Sequence, residues 1–157
     1  MAIVMSIAVP SLKPLISRQD LIAKASLLSS TLAYARNEAV ARVDSVTLCG
    51  TVDQVSCSGT SDLSEGWLVF LDKNADGLFN LGDGDELLRQ GGDEGNEVTL
   101  RLGSSATHIR FSDRGESSES RTVFLCTQGA DTNPSKARTL AVSLVGSTRV
   151  YTGGTCP

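Results

Sequence analysis

MAIVMSIAVPSLKPLISRQDLIAKASLLSSTLAYARNEAVARV, residues 1–43, is the stretch on which the fold turns. It reads as one helix in two parts. Residues 1–12 carry no charge. From Arg18 on, Leu21, Ala25, Leu28, Leu32, Ala35, Ala39 and Val43 recur at steps of three and four, which sets them on one helix face. Asp20 precedes Lys24, and Glu38 precedes Arg42, by one helical turn, the favourable acid-before-base order on a solvated face. An uncharged front and an amphipathic rear predict a spine. The front sits in lipid or among other subunits, and the rear carries a head. Pro10 and Pro14 each lack a backbone donor and place a bend where the two parts meet.

A membrane-spanning helix needs about 20 apolar residues, and the uncharged run ends at Leu12. A buried helix start and a signal-peptide fragment are the plainer readings. A signal peptide carries a basic segment ahead of its apolar run, and no basic residue precedes Lys13. The expectation is a chain that begins partway through a membrane anchor, with Ile3, Val4, Ile7, Val9, Leu12 and Leu15 as assembly contacts.

Behind the spine, residues 44–157 read as one β-rich head. Val46–Cys49, Gly66–Asp72, Glu86–Gln90, Glu97–Leu102, Thr107–Ser112, Arg121–Cys126, Arg138–Val145 and Thr148–Tyr151 carry strand patterns between Gly-, Ser-, Asn- and Asp-rich turns. Gly66–Asp72 is apolar on both faces and is expected at the centre of a sheet, between the helix and a second layer. Asp113–Ser120 is expected as an exposed hairpin loop, and Gly91–Gly95 as a turn. The fold class is α+β: a long N-terminal helix packed on an antiparallel sheet or sandwich of about eight short strands.

The 157 residues suffice for one such domain, and net charge is −4, which argues against a dedicated nucleic-acid protein. The distribution is uneven: +3 over residues 1–43, −10 over residues 44–97 and +3 over residues 98–157. An acidic middle between basic flanks steers partners, although uneven solvated loops explain most of it. Cys49, Cys57, Cys126 and Cys156 form no CxxC pair, so zinc and thioredoxin-like chemistry are poor readings. Three disulfide connectivities are open. Cys49–Cys57 and Cys126–Cys156 are favoured because each pair brackets a loop within one region, and disulfides fit an exported domain.

The N-terminal stretch resembles the first helix of type IV pilin-like proteins, and in particular the GspH/FimT family of minor pilins and pseudopilins. The matching pieces are AVPSL at Ala8–Leu12, YARNEAVAR at Tyr34–Arg42, VTLC at Val46–Cys49, GWLVFLDKNADG at Gly66–Gly77 and LLR at Leu87–Arg89. The family's leader, with a Gly-Phe cleavage site and a nearby Glu, is not in these residues. The resemblance implies a non-enzymatic structural subunit of a type IV pilus tip or type II secretion pseudopilus. It would be held in the bacterial inner membrane, with a periplasmic head and other pilins as partners, and it would have no small-molecule substrate.

Two binding readings stand beside this. Asp72, Asn74, Asp76, Asn80 and Asp83 place oxygens at positions 1, 3, 5, 9 and 12 of a loop with Gly77 at position 6, the spacing of an EF-hand. Calcium is the cation such a loop would take, in a secreted calcium-binding domain with a misassigned start. Asp83 in place of Glu and strand-like flanks weigh toward an Asx-rich turn instead. DNA is the other ligand, as in relatives that act in DNA uptake through a Gly-Arg-x-Arg turn near the C-terminus. Here that turn reads Gly146-Ser147-Thr148-Arg149. Only the glycine and Arg149 match, with Arg138, Lys136 and Arg121 as supporting cations. Catalysis has little to work with, since the chain holds one histidine, His108, in a strand pattern.

Overall fold

The computed structural model describes residues 13–92, 97–127, 130 and 133–156, with side chains from Ser17 on. Helix α1 runs through Lys13–Arg42. Leu21, Ala25, Leu28, Leu32, Ala35 and Ala39 are all buried, as their spacing predicts. Val43 departs from that stripe and is 72% exposed. It takes φ 54, and the Asp44 amide donates back to the Ala39 carbonyl at 3.2 Å. That six-to-one bond around a left-handed residue is a Schellman-type stop, here without the usual glycine.

Eight strands follow: β1 Val46–Gly50, β2 Gly66–Leu71, β3 Glu86–Gly92, β4 Val98–Leu102, β5 His108–Phe111, β6 Arg121–Thr127, β7 Ala137–Val142 and β8 Thr148–Thr152. They form two four-stranded sheets, ordered β3-β2-β1-β5 and β4-β6-β7-β8. Every pairing is antiparallel. The helix packs on both sheets, and its stripe shares one core with Val46, Leu48, Val69, Ile109 and Phe111 of the first and Val123, Leu125 and Leu140 of the second.

β2 is buried along its whole length. Trp67, Val69 and Leu71 face the helix core. Leu68 and Phe70 face the other way, into a smaller cluster with Cys49, Cys57 and Phe79. The second layer over β2 is therefore built from two loops and not from a regular element.

Two expectations are corrected. Residues 113–120 do turn back on β5, with Phe111 bridged to Ser117 and the Ser118 amide donating to the Arg110 carbonyl, and most of them are exposed. They do not join β5 to β6 as a hairpin, because β5 pairs with β1 and β6 with β4 and β7, so the segment then crosses between sheets. Gly91 and Gly92 do not turn; they extend β3 opposite Trp67 and Gly66, with the Trp67 ring lying against Gly91.

Both favoured disulfides are present. Cys49–Cys57 closes the loop after β1. Cys126–Cys156 ties the C-terminal segment to β6 across 30 residues.

Candidate functional site

Ile3, Val4, Ile7, Val9 and Leu12 lie outside the described residues. Leu15 is in α1, its side chain likewise outside. On the described part of α1, Ile22, Leu27 and Val40 are partly exposed apolar side chains flanking the buried stripe, each beside residues of the head. No helix among the described residues is long and apolar enough to cross a membrane.

The YARNEAVAR segment works as a clamp. Ala35 and Ala39 enter the core. The Arg89 guanidinium of β3 sits 5.6 Å from the Tyr34 ring centroid. Arg36 Nε donates to the Gly115 carbonyl at 2.9 Å and Nη2 to the Val145 carbonyl at 3.1 Å. Arg42 bonds Glu38 at 2.8 Å and reaches Glu86 of β3 at 3.0 Å. Both ends of the head are thus fastened to one helical segment. Gly146 belongs to the same joint: its φ is +76, and a Cβ there would lie 1.9 Å from the Gly115 carbonyl oxygen. The glycine shared with the DNA-uptake turn is thus needed for packing.

The Asp-rich loop folds over the outer face of the first sheet. Asp72 is fully buried. Its Oδ2 accepts from the Thr47 hydroxyl at 2.7 Å and the Gly77 amide at 3.0 Å, and its Oδ1 from the Asp76 amide at 3.1 Å. Asp85 accepts from the Lys73 and Asn80 amides, each at 2.9 Å. Asp76 accepts from the Leu78 amide at 2.7 Å. Asn74 and Asn80 both donate to Asp83 Oδ2, at 3.3 and 2.8 Å. The side-chain oxygens at the candidate calcium positions are thus engaged with amides of the loop itself, as an Asx-rich turn requires. Among the described residues, no group of three or more His, Cys, Asp or Glu side chains is placed to hold a metal ion.

β5 holds that loop in place. The His108 ring packs on Gly77, where a Cβ would come within 2.5 Å of it. Arg110 donates to the Ala75 carbonyl. Phe79 meets Phe70 with ring centroids 5.3 Å apart. Burial holds the His108 pKa below its ordinary value, helped by the positive charges of Arg110 and Arg121, while Asp72 and Glu119 oppose them. At the root of the loop, Lys73 bonds Asp44 at 2.5 Å and holds that carboxyl below the usual carboxylate range.

The four candidate DNA cations do not form one surface. Arg121 and Arg149 line a groove with Val145 and Tyr151, and Arg121 is ion-paired with Glu119 at 2.6 Å. Arg138 lies in a different groove, against Ile22 and Ser26 of α1, and donates to the Ser135 and Ala137 carbonyls. Lys136 is exposed in the short turn before β7. Strand alternation separates Arg138, which shares its face with Leu140 and Val142, from Arg149, which stands opposite Ala141; Arg121, opposite Val142 at the start of β6, is on Arg138's face of the sheet. Sequence reasoning did not assign Arg36, Thr47 or Arg110 a role. Arg36 and Thr47 lie in the YARNEAVAR and VTLC pieces of the resemblance; Arg110 carries no local signal, and the partners of all three are distant in sequence.

A long helix gripped by two antiparallel sheets is a pilin-like fold. Among solved structures, the chain is similar to the type IV minor pilin FimU of Pseudomonas aeruginosa. That match has 23% identity and a TM-score of 0.66, over 85% of this chain and 90% of that one. It is also similar to the minor pseudopilin EpsH of the Vibrio cholerae type II secretion system, in two structures. One gives 14% identity and a TM-score of 0.55, over 84% of this chain and 96% of that one. The other gives 13% and 0.58, over 89% and 99%. No curated protein matches by sequence. The family model for the type II transport protein GspH matches residues 24–146, and the chain belongs to that family.

Proposed function

We propose that the chain is a minor pilin or pseudopilin, a non-enzymatic subunit held in the inner membrane by the apolar front of its helix. Its head faces the periplasm, and its neighbours are other pilins. The family and the fold support this, and one observation carries it: the head consumes a single stripe of α1. Ile22, Leu27 and Val40 flank that stripe and stay 39%, 46% and 49% exposed, so the rod keeps partly open apolar side chains beside its own head for the next subunit to cover. The groups that often carry chemistry are otherwise occupied. The four cysteines are paired, and His108 is packed into the loop it supports. Removing residues 1–18 should release a soluble, monomeric head; a head that still forms filaments would refute the assembly role of the helix.

DNA contact is a second reading, supported by Arg149 and Arg121 on one groove. Gel shifts at rising salt, wild type against Arg149→Ala, test it: loss of the shift supports the contact, and equal shifts refute it.

A further inference from the structure

An edge strand presents a row of unpaired amides and carbonyls, which folded proteins cover or blunt. The edges here are β3 and β5 of one sheet and β4 and β8 of the other. β4 is covered: the Leu63 amide donates to the Leu100 carbonyl at 2.9 Å, and the Leu102 amide to the Ser61 carbonyl at 2.8 Å. On β5, the Arg110 carbonyl takes the Ser118 amide at 3.1 Å. β3 carries a bulge opposite Val69 and Phe70, and its Glu86 is tied to Arg42. β8 has no such device. Its sequence, TRVYT, is rich in strand formers and holds a single charge. The ladder to β7 shows which of its groups are open. The Ser143 amide donates to the Ser147 carbonyl, and the Gly153 amide to the Ala137 carbonyl. Bonded pairs alternate along an antiparallel ladder. Arg149 and Tyr151 therefore bond β7, while the amides and carbonyls of Thr148, Val150 and Thr152 point outward. Among the described residues no hydrogen bond reaches those outward groups.

A groove lies beside that edge. Ile22, Ser26, Ser29 and Ala33 of α1 line it with Val150 and Arg138 of the sheet. Apart from Ile22 the helix side chains are small, which leaves room next to β8. Arg149 and Tyr151 stand on the other face of the strand. Arg138 bonds the Ser135 and Ala137 carbonyls, and neither it nor Arg149 meets a carboxylate among the described residues. Glu119, close by, is taken by Arg121 at 2.6 Å. We propose that β8 receives an extended segment of another protein, apolar on its inward side and acidic on its outward side, as an added strand. Its backbone bonds Thr148, Val150 and Thr152. Its inward side chains cover Ile22 and Val150, and its carboxylates meet Arg149. The β8 of a second copy is excluded as occupant by charge, because it would set cations against cations. The contact is separate from the spine, so either can fail alone.

The test uses the full chain in detergent micelles and a short, labelled, blocked peptide in which valine alternates with glutamate. Its fluorescence anisotropy should rise and saturate. Two forms of the peptide, N-methylated on one or the other set of alternate amides, separate its two edges: one should lose binding and the other keep it. Val150→Pro removes the central open amide and leaves the bonded pairs with β7 in place. It should abolish binding while circular dichroism still shows a folded head. Arg149→Glu should lose the glutamate peptide and gain its lysine counterpart. Wild-type protein that binds no peptide, binds both charge forms alike, or binds both methylated forms overturns the proposal. Val150→Cys that oxidises to a homodimer would name a second copy and overturn the choice of partner.

Discussion

Val43 ends the helix in a conformation that suits glycine. Its branched side chain is mostly exposed, so little packing compensates for a left-handed backbone that costs an L-residue roughly 1–2 kcal/mol. Val43→Gly should therefore stabilise the head by about 1 kcal/mol, less the added freedom of the unfolded chain. The denaturation midpoint should rise in urea with an unchanged slope. His108 sets a pH dependence of definite sign. Its pKa is ordinarily 6.5 and is lower in the folded head. Above 6.5 the ring is neutral in both states. As pH falls through 6.5 toward the folded value, the unfolded chain binds a proton that the folded head refuses, and stability drops. Below the folded value the loss levels off. His108→Gln should remove this component, which urea midpoints at neutral and mildly acidic pH will show.

At the scale of the element, the loop from Asp72 to Asp85 is stabilised by carboxylates that cap amides. Asp72→Asn replaces an acceptor-only group, fully buried among three donors, with one that carries its own N–H. It should cost about 2 kcal/mol and loosen the contact of His108 with Gly77. Millimolar calcium should leave the melting temperature unchanged, because the side-chain oxygens are already engaged. A rise would instead assign Asp72, Asn74, Asp76, Asn80 and Asp83 as ligands. The elements themselves were legible in the sequence. All eight strands lie close to where alternation and turn residues put them, but β3 runs on through Gly92 and β7 stops at Val142, three residues early; the helix stripe was misread only at Val43, where the chain had already turned. The loop's role was not legible. Its spacing is that of a cation loop, and only Thr47, His108 and Arg110, far from it in sequence, show that it covers a sheet. Arg138 misled for a related reason: alternation sets it on one face with Leu140 and Val142, but no local pattern tells that this face meets α1.

For the whole molecule, what sequence could not supply was partnership between distant segments. That β5 joins β1 while β6 joins β4 and β7 follows from no local pattern, so the expected hairpin loop turns back on β5 and then crosses to the other sheet instead of pairing β5 with β6. The cysteine pairs were readable because each closes a loop within its own region. On the chain-entropy argument, losing Cys126–Cys156, which spans 30 residues, should cost about 3–4 kcal/mol. Losing Cys49–Cys57, which spans 8, should cost about 2–3. Paired serine variants compared by thermal unfolding check that order; a reversal would mean that packing against Leu68 and Phe70 outweighs loop length.

The helix is held by both sheets at once, and this has a mechanical consequence. Traction along the rod loads the two halves of the head in parallel, with Arg36 and Arg42 as the last fastenings before the rod ends. Neither half can peel away while the other bears the strain, so under tension the head should yield in one event and not by shedding one sheet first.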